Sequence, residues 1–273
     1  RALAGKFDAR FLDEKDASGV TREEALRAFG LNTRDIAREA RDPTRVIGYV
    51  EVHIEQGPVL EARNLPVGVV TGIAGATRGR VVVRGESGHA GTVPMTLRHD
   101  ALATAAEMIL AVETVARRSA PVVATVGRLE VANGAVNTVP GHVEFTLDVR
   151  APTDSVRQKA LADIRAALDE IAARRNVTAD VAYTYDAPAV ASDPALVREL
   201  SGAVARQGHE VLQLASGAGH DAMSFGGRLP AAMLFVRCRG GVSHSPLEFA
   251  TAEDMDAAGR VLLDFILHLA DAA

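Results

Sequence analysis

The sequence is poor in sulfur and aromatic side chains and has no long apolar run. Its 273 residues include one cysteine and no tryptophan, and aromatic residues make up 4% of the chain. The single cysteine, Cys238, excludes a framework of intrachain disulfides. Because Cys238 lies in the apolar stretch AAMLFVRC, we expect a buried structural thiol rather than a reactive one. A metal site in this chain must therefore be built from His, Asp and Glu side chains.

Charge and hydropathy exclude two further classes of partner. The net charge of −5 and the isoelectric point near 5.9 show none of the basic excess that is typical of nucleic-acid-binding proteins. No apolar run approaches the roughly 20 residues that span a bilayer, and no signal peptide opens the chain. We therefore expect a cytoplasmic protein that binds neither nucleic acid nor membrane.

The order of the predicted elements indicates one α/β domain interrupted by another. Residues 1–73 combine charged helical segments, including a capping box at Thr21 and Glu24, with a strand that leads to His53. Residues 188–273 alternate helices and strands, as in a parallel α/β layer. From about Val67 the chain reads β-β-α-β-β-α-β, which favours a four-stranded sheet with two helices on one face and one extra hairpin strand. The insert is placed at residues 74–187. The predicted fold class is therefore α/β, with a discontinuous domain and a ferredoxin-like α+β insert.

Polar residues concentrate in five short stretches where predicted strands end or turn. These stretches contain four of the eight histidines, and they are HIEQGP at 53–58, GESGHAGTVP at 85–94, NGAVNTVPG at 133–141, SGAGHDA at 216–222 and GGVSHSPLE at 240–248. Each stretch alone fits an ordinary polar turn at a strand end. Their joint occurrence in one chain favours a functional site.

Two familiar motifs are disfavoured by the residues present and their arrangement. GESGHAG lacks the Lys-Ser/Thr pair of a phosphate-binding P-loop and the spacing of a dinucleotide fingerprint. SGAGHDA offers a serine, a histidine and an aspartate, but a hydrolytic triad needs a spatial arrangement that neighbouring residues in one turn rarely provide. Neither motif therefore defines the chemistry.

The five stretches, in their order along the chain and in their amino-acid sequences, resemble those of a known enzyme family. HIEQGPVLE, GHAGTVPM, VNTVPG, SGAGHDA and SHSPLE are similar to signature stretches of amidohydrolases of the hydantoinase/carbamoylase type, within the M20 metallopeptidase superfamily. These enzymes include N-carbamoyl-L-amino acid hydrolases, allantoate amidohydrolases and β-ureidopropionases. The resemblance covers nearly the whole chain, and it implies that the insert is a lid or dimerisation domain inside a metal-binding catalytic domain.

The resemblance implies a two-metal site of zinc or manganese. His53 and His244 match histidines that bind one metal ion each, and imidazole is a suitable ligand for both metals. The family's bridging aspartate, a second histidine and a Glu-Glu pair with the general base precede the region that resembles RALAG. Glu23 and Glu24 lie in a predicted capped helix and are interpreted as a solvated face. We therefore expect the C-terminal two-thirds of an enzyme, and we expect the span 1–273 alone to bind zinc weakly and to be inactive.

The resemblance also implies substrate-binding roles for five residues. Gln56 and His220 match residues beside the metal that contact substrate or shape the pocket. His89, the candidate catalytic residue, and Asn137 match lid residues that bind substrate or stabilise the oxyanion of the attacked carbonyl. Arg150 matches an arginine that holds the substrate carboxylate, for which a guanidinium is well suited.

Two functional classes and one related enzyme remain open. The preferred interpretation is a metal-dependent hydrolase that cleaves a linear C–N bond of an N-carbamoyl or ureido acid. The alternative is a non-catalytic carboxylate-binding and dimerisation module that retains Asn137 and Arg150. A peptidase of the same superfamily is disfavoured by HIEQG, which resembles the ureido branch. We also expect a homodimer formed through the insert, because its strand GRVVVRGES would otherwise be an exposed edge.

Overall fold

The computed structural model describes residues 1–272 as two compact units. Unit 1 contains Arg1–Ile73 and the segment from Ala191 onward, and unit 2 is Ala74–Val190. The sequence-based boundaries lie at 73/74 and 187/188. That unit 2 acts as a lid or dimerisation domain stays a prediction. Within the described part of the chain, no helix is long and apolar enough to cross a membrane.

The two units contain six α-helices and twelve strands within residues 1–272. The helices are α1 Arg22–Ala28, α2 Val59–Arg63, α3 Ala101–Arg118, α4 Asp154–Arg174, α5 Pro194–Arg206 and α6 Ala252–Ala272. The strands are β1 Tyr49–Ile54, β2 Val67–Ile73, β3 Gly75–Arg84, β4 Gly88–His89, β5 Val123–Thr125, β6 Leu129–Val131, β7 Thr138–Val139, β8 His142–Ala151, β9 Thr178–Ala187, β10 Val190–Ala191, β11 Gln213–Ser216 and β12 Ala231–Val236.

The sheet of unit 1 is mixed rather than parallel. β1 pairs with β12 in parallel and β11 pairs with β2 in parallel, but β12 and β2 run antiparallel. The prediction of a parallel layer is therefore wrong for the central pair. β12 is buried along its whole length, and a strand covered on both faces reads as a continuous apolar run whichever way its neighbour points.

Helices cover one face of this sheet. Leu200 and Val204 of α5 and Val261 and Phe265 of α6 form an apolar core cluster with β2 and β12. Cys238, just after β12, is 1% exposed, so the expectation of a buried thiol is confirmed.

Residues 1–45 contain one α-helix, α1, rather than a series of helices. The capping box at the start of α1 is confirmed, because Thr21 and Glu24 each accept a hydrogen bond from the other's backbone N–H. Around α1 the chain forms short 3₁₀ turns whose caps are Asp8, Asn32 and Asp42, each accepting from an N–H two residues later. Such local side-chain bonds compete with longer helices, so the prediction of a helical segment is right only for α1.

Unit 2 is an antiparallel sheet covered by α3 and α4. The strand order is β5-β8-β3-β9, and β6 also pairs with β8. β3 therefore lies in the middle, and the expectation that GRVVVRGES is an edge strand is wrong; β9 is the long edge strand. From the sequence alone, the first helix of this unit is predicted to run from about Thr96 to Arg118. It begins instead at Ala101, because Asp100 accepts hydrogen bonds from the N–H groups of Leu102 and Ala103 and acts as the N-cap.

Candidate functional site

Strand β1 presents three polar side chains on one face. Alternate residues of a strand share a face, which groups Tyr49, Glu51 and His53. This face lies against the 3₁₀ turn Asp221–Phe225. Tyr49 stacks on Phe225 with ring centroids 4.2 Å apart. The strand therefore delivers a carboxylate and an imidazole to the turn that carries SGAGHDA.

Glu51, His53 and His220 form a compact cluster of potential metal ligands. One donor atom from each lies within 4.8 Å of the others, and among the described residues this is the one group of three or more His, Cys, Asp or Glu side chains with such spacing. The rings of His53 and His220 meet edge to face with centroids 4.6 Å apart. Glu51 Oε1 lies 3.7 Å from His220 Nδ1.

The neighbours of the cluster fix two of these side chains. His53 Nδ1 lies 2.8 Å from the carbonyl oxygen of Ile54, and an Nδ1–H that donates to this carbonyl leaves Nε2 as the ligand atom. Glu51 Oε2 accepts a 2.9 Å hydrogen bond from the backbone N–H of Ala222, and Tyr49 donates to the same oxygen at 3.4 Å. Burial, followed by the charges of Glu51 and Asp221, raises the pKa of Tyr49 to about 12. Tyr49 therefore stays a neutral donor.

The His220 ring is enclosed by protein. Its side chain is 1% exposed, and its Nε2 lies 2.7 Å from Ser216 Oγ. Burial, with a further contribution from His53, lowers the pKa of His220 to about 4, so the ring is neutral at pH 7. Its Nδ1 is buried and has no hydrogen-bond partner. A neutral imidazole with an unpartnered buried nitrogen beside a carboxylate fits a metal ligand.

Ser216, His220 and Glu51 lie next to one another in space, as the serine, histidine and acid of a hydrolytic triad do. The geometry nevertheless excludes Ser216 as a nucleophile. Ser216 is 1% exposed, and its hydroxyl donates to the carbonyl of Ala218. A nucleophilic serine must instead present its oxygen to a substrate carbonyl. The carboxylate that faces the His220 ring is that of Glu51, not that of Asp221 in SGAGHDA.

The first and last polar stretches meet in unit 1. Gln56 adopts the left-handed backbone region with φ 56°, and its Nε2 donates to Ser243 Oγ at 2.6 Å. His244 follows Ser243 with φ 54° and is exposed; its backbone N–H donates to Glu248. His244 does not join the Glu51–His53–His220 cluster, so its proposed role as ligand of a second metal rests on the family resemblance.

Unit 2 brings together two of its three predicted site residues. His89 pairs with Thr138 where β4 meets β7, and Ala90 N–H donates to the carbonyl of Asn137. Both predicted side chains, His89 and Asn137, are exposed. Arg150 lies elsewhere, on β8, where its guanidinium donates through Nε and Nη2 to the two oxygens of Asp148 at 2.7 and 2.8 Å. A substrate carboxylate at Arg150 would therefore compete with Asp148.

Comparison with known proteins identifies the family. The family model described as peptidase family M20/M25/M40 matches residues 18–268. The chain belongs to peptidase family M20/M25/M40. Among relatives of this M20 chain, allantoate deiminase of Arabidopsis thaliana is 40% identical over 294 residues, covering 97% of this chain and 56% of the relative.

Two further comparisons place the M20 chain beside amidohydrolases. The N-carbamoyl-L-amino acid amidohydrolase of Geobacillus stearothermophilus is 40% identical, with 99% of this chain and 66% of the relative covered. The solved structure of a hydantoinase/carbamoylase family amidase from Burkholderia multivorans aligns with a TM-score of 0.91 at 35% identity, covering 98% of this chain and 64% of that chain. The chain thus spans between 56% and 66% of the length of these relatives.

Sequence reasoning on the M20 motifs missed Glu51 as a site residue. The signal was the two-residue spacing in EVH, which places Glu51 and His53 on the same face of a strand. His220 was assigned to the substrate pocket, and its side chain lies beside His53. Whether its Nδ1 contacts metal or substrate stays a prediction. Ligands at about 2.0–2.2 Å from zinc lie roughly 3–4 Å apart, and the 3.7 Å between Glu51 Oε1 and His220 Nδ1 lies within this range.

Proposed function

We propose that this protein is a metal-dependent amidohydrolase that cleaves a linear C–N bond of an N-carbamoyl-L-amino acid or of allantoate. The observation that carries the proposal is the Glu51–His53–His220 cluster, within a chain about 40% identical to enzymes of these names. HIEQGP, which contains His53, begins where β1 ends. The fold alone would also fit a peptidase, so the substrate class rests on the relatives.

The proposed metal contacts start from His53. His53 Nε2 would hold a divalent ion, zinc or manganese, with Glu51 and His220 Nδ1 beside it, and His244 would hold a second ion. A bound metal supplies polarisation of the substrate carbonyl and activation of a water. The ring of His53 is oriented by Ile54, and the carboxylate of Glu51 is oriented by Ala222 N–H. These bonds hold the donor atoms in place before a ligand arrives.

The proposed substrate contacts are Gln56, His89, Asn137 and Arg150. Gln56 is supported by its strained backbone and its bond to Ser243, because strain of this kind persists where surrounding structure imposes a conformation. His89 would donate to the developing oxyanion, and Asn137 would bind substrate beside it. Arg150 would exchange its internal partner Asp148 for the substrate carboxylate, which lowers the net gain from that contact.

The experiment is a substrate panel. The protein is loaded with zinc or manganese and assayed for products from N-carbamoyl-L-amino acids, allantoate and a dipeptide. We expect turnover of a ureido acid, a loss of at least about a hundredfold in His53→Ala because the site loses a metal ligand, and no change in His268→Ala. Turnover of the dipeptide alone, or equal activity of the two variants, would contradict the proposal.

We also propose a homodimer formed through unit 2. The support is β9, a ten-residue strand at the edge of its sheet whose side chains are largely exposed. A long exposed edge offers unpaired backbone groups to a second strand, and pairing of two copies along β9 would cover it.

A further inference from the structure

The hydroxyl of Ser216 makes three contacts that decide where its proton goes. Ser216 Oγ lies 3.1 Å from the carbonyl oxygen of Ala218, 3.1 Å from the backbone nitrogen of Ala218 and 2.7 Å from His220 Nε2. The backbone N–H can only donate, and the backbone carbonyl can only accept. If the hydroxyl proton goes to the carbonyl, the remaining lone pair of Oγ must accept from His220.

Counting protons favours one tautomer of the neutral His220 ring. With the proton on Nε2, all three contacts of Ser216 are hydrogen bonds, and His220 Nδ1 is left as a bare acceptor. With the proton on Nδ1, Ser216 must donate to His220, the Ala218 carbonyl loses its hydroxyl partner, and a buried N–H has no acceptor within hydrogen-bond distance. Buried N–H groups without a partner are rarer than unpaired acceptors.

The favoured tautomer has a chemical consequence in the cluster. The lone pair of Nδ1 then faces Glu51 Oε1 at 3.7 Å with no proton between two acceptors. That arrangement is unfavourable by itself and becomes favourable when a positive charge lies near both atoms. A divalent cation bound by Glu51 and His53 is such a charge.

We propose that Ser216 is a positioning residue that fixes His220 as the Nε2–H tautomer, so that Nδ1 faces a divalent cation held by Glu51 and His53. The use of this lone pair rests on the proposed metal function, whereas the tautomer itself does not. Glu51 has the opposite effect to Ser216, because a carboxylate favours a proton on the nitrogen it faces. Ser216 and Glu51 therefore compete for the position of one proton.

The test reads the tautomer directly. Long-range ¹H–¹⁵N correlation spectra of the metal-free, ¹⁵N-labelled 273-residue chain at neutral pH distinguish protonated from unprotonated ring nitrogens, and His220→Gln identifies the signals. We expect Nε2–H in the wild type. In Ser216→Ala we expect a shift towards Nδ1–H, because Glu51 becomes the nearest acceptor. Ser216→Thr, which keeps the hydroxyl, should retain Nε2–H.

A matched control and a metal titration separate the tautomer assignment of His220 from the proposed metal function. Ser201→Ala removes a serine hydroxyl that accepts from Gln213 in the same unit and should leave the His220 spectrum unchanged. Zinc should bind Ser216→Ala about tenfold more weakly than the wild type. An Nδ1–H wild type, or a Ser216→Ala spectrum identical to wild type, would overturn the tautomer assignment even if the variant binds zinc weakly. A wild type that binds no zinc would overturn the metal function and leave the tautomer result to stand by itself.

Discussion

At the scale of single residues, the sequence predicted which stretches contain site residues better than it predicted which side chains contact one another. His53 could be singled out because an imidazole follows an apolar strand in a stretch shared with a family. Glu51 could not be separated from ordinary strand polarity without knowing that the Asp221–Phe225 turn lies on its face. The ion pair of Arg150 with Asp148 was equally hidden, because both residues read as alternating charges on β8.

Position 56 offers a test of backbone strain. Gln56 lies at φ 56°, a region that costs a side chain with a Cβ about 1–2 kcal/mol and costs glycine almost nothing. Gln56→Gly and Gln56→Ala both remove the bond to Ser243, but only glycine removes the strain. Urea unfolding should therefore show Gln56→Gly to be more stable than Gln56→Ala by about 1 kcal/mol. Equal stabilities would show that the left-handed conformation carries no strain.

Asp148 should contribute stability that depends on pH. Burial raises the pKa of Asp148, but hydrogen bonds and charge from Arg150 and Arg78 outweigh it and hold the pKa below its usual value. A carboxyl with a lowered folded pKa stabilises the protein above its unfolded pKa and loses this contribution as pH falls through the folded value. Asp148→Asn should therefore cost about 1–3 kcal/mol at pH 7, and the difference from wild type should shrink below about pH 3.9.

Chemical denaturation at pH 7, 4 and 3 measures this difference. Asp169→Asn serves as the matched control, because Asp169 pairs with Arg165 on the exposed side of α4 and should change stability little. A difference between Asp148→Asn and wild type that stays constant across the three pH values would contradict the assigned pKa shift.

At the scale of elements, the sequence predicted the helices better than it predicted the positions and pairing directions of the strands. Helices were predicted from caps and hydrophobic periodicity, which are local. The capping box of α1 is local and was read from the four residues Thr21–Glu24. The start of α3 was misplaced because PMTLRH has helical composition, whereas Asp100 supplies the cap. The position of β3 between β8 and β9, and the antiparallel pairing of β12 with β2, depend on contacts between segments far apart in the chain. Local patterns contain no information on such contacts.

The loop after β12 should be destabilised more by a methyl group at Gly241 than by one at Gly240. Gly240 and Gly241 both have positive φ, so alanine is strained at either position. A Cβ at Gly241 would lie 2.7 Å from the carbonyl carbon of Gly57 and 2.9 Å from the nitrogen of Pro58, whereas at Gly240 it would meet only Val242 at 3.7 Å. Gly241→Ala should therefore destabilise the chain by at least about 1 kcal/mol more than Gly240→Ala.

Thermal unfolding of the two variants tests this close approach. The clash joins the loop that precedes His244 to the loop that contains Gln56, so Gly241→Ala should also lower activity against a ureido acid more than Gly240→Ala does. The same melting temperature for both variants would show that the two loops separate at no cost.

At the scale of the whole molecule, changes of sequence pattern near residues 74 and 188 predicted a division into two units, and the structure divides at 73/74 and 190/191. The relation of the chain to its relatives was visible in five ordered stretches. The assembly was not predictable in detail, because the strand expected at the edge lies in the centre of its sheet. The edge strand β9 now supports the proposed dimer.

Sedimentation velocity tests the dimer. At micromolar concentration we expect a species of twice the 28.7 kDa chain mass. Val181→Pro on β9 should yield a monomer, because proline removes a backbone donor and disrupts strand pairing. Since Val181 also pairs with Val81 of β3, circular dichroism must show that the variant is folded. A wild-type monomer at these concentrations would contradict the proposal.

The most direct test of the central claim, that β1 delivers His53 to a metal ion beside Glu51 and His220, is zinc binding by calorimetry combined with elemental analysis. We predict zinc binding by the wild-type chain, a loss of affinity of at least about tenfold in His53→Ala and in Glu51→Gln, and unchanged affinity in His268→Ala, whose imidazole lies on α6 and pairs with Glu199. Zinc binding that is the same in His53→Ala as in the wild type would contradict the account.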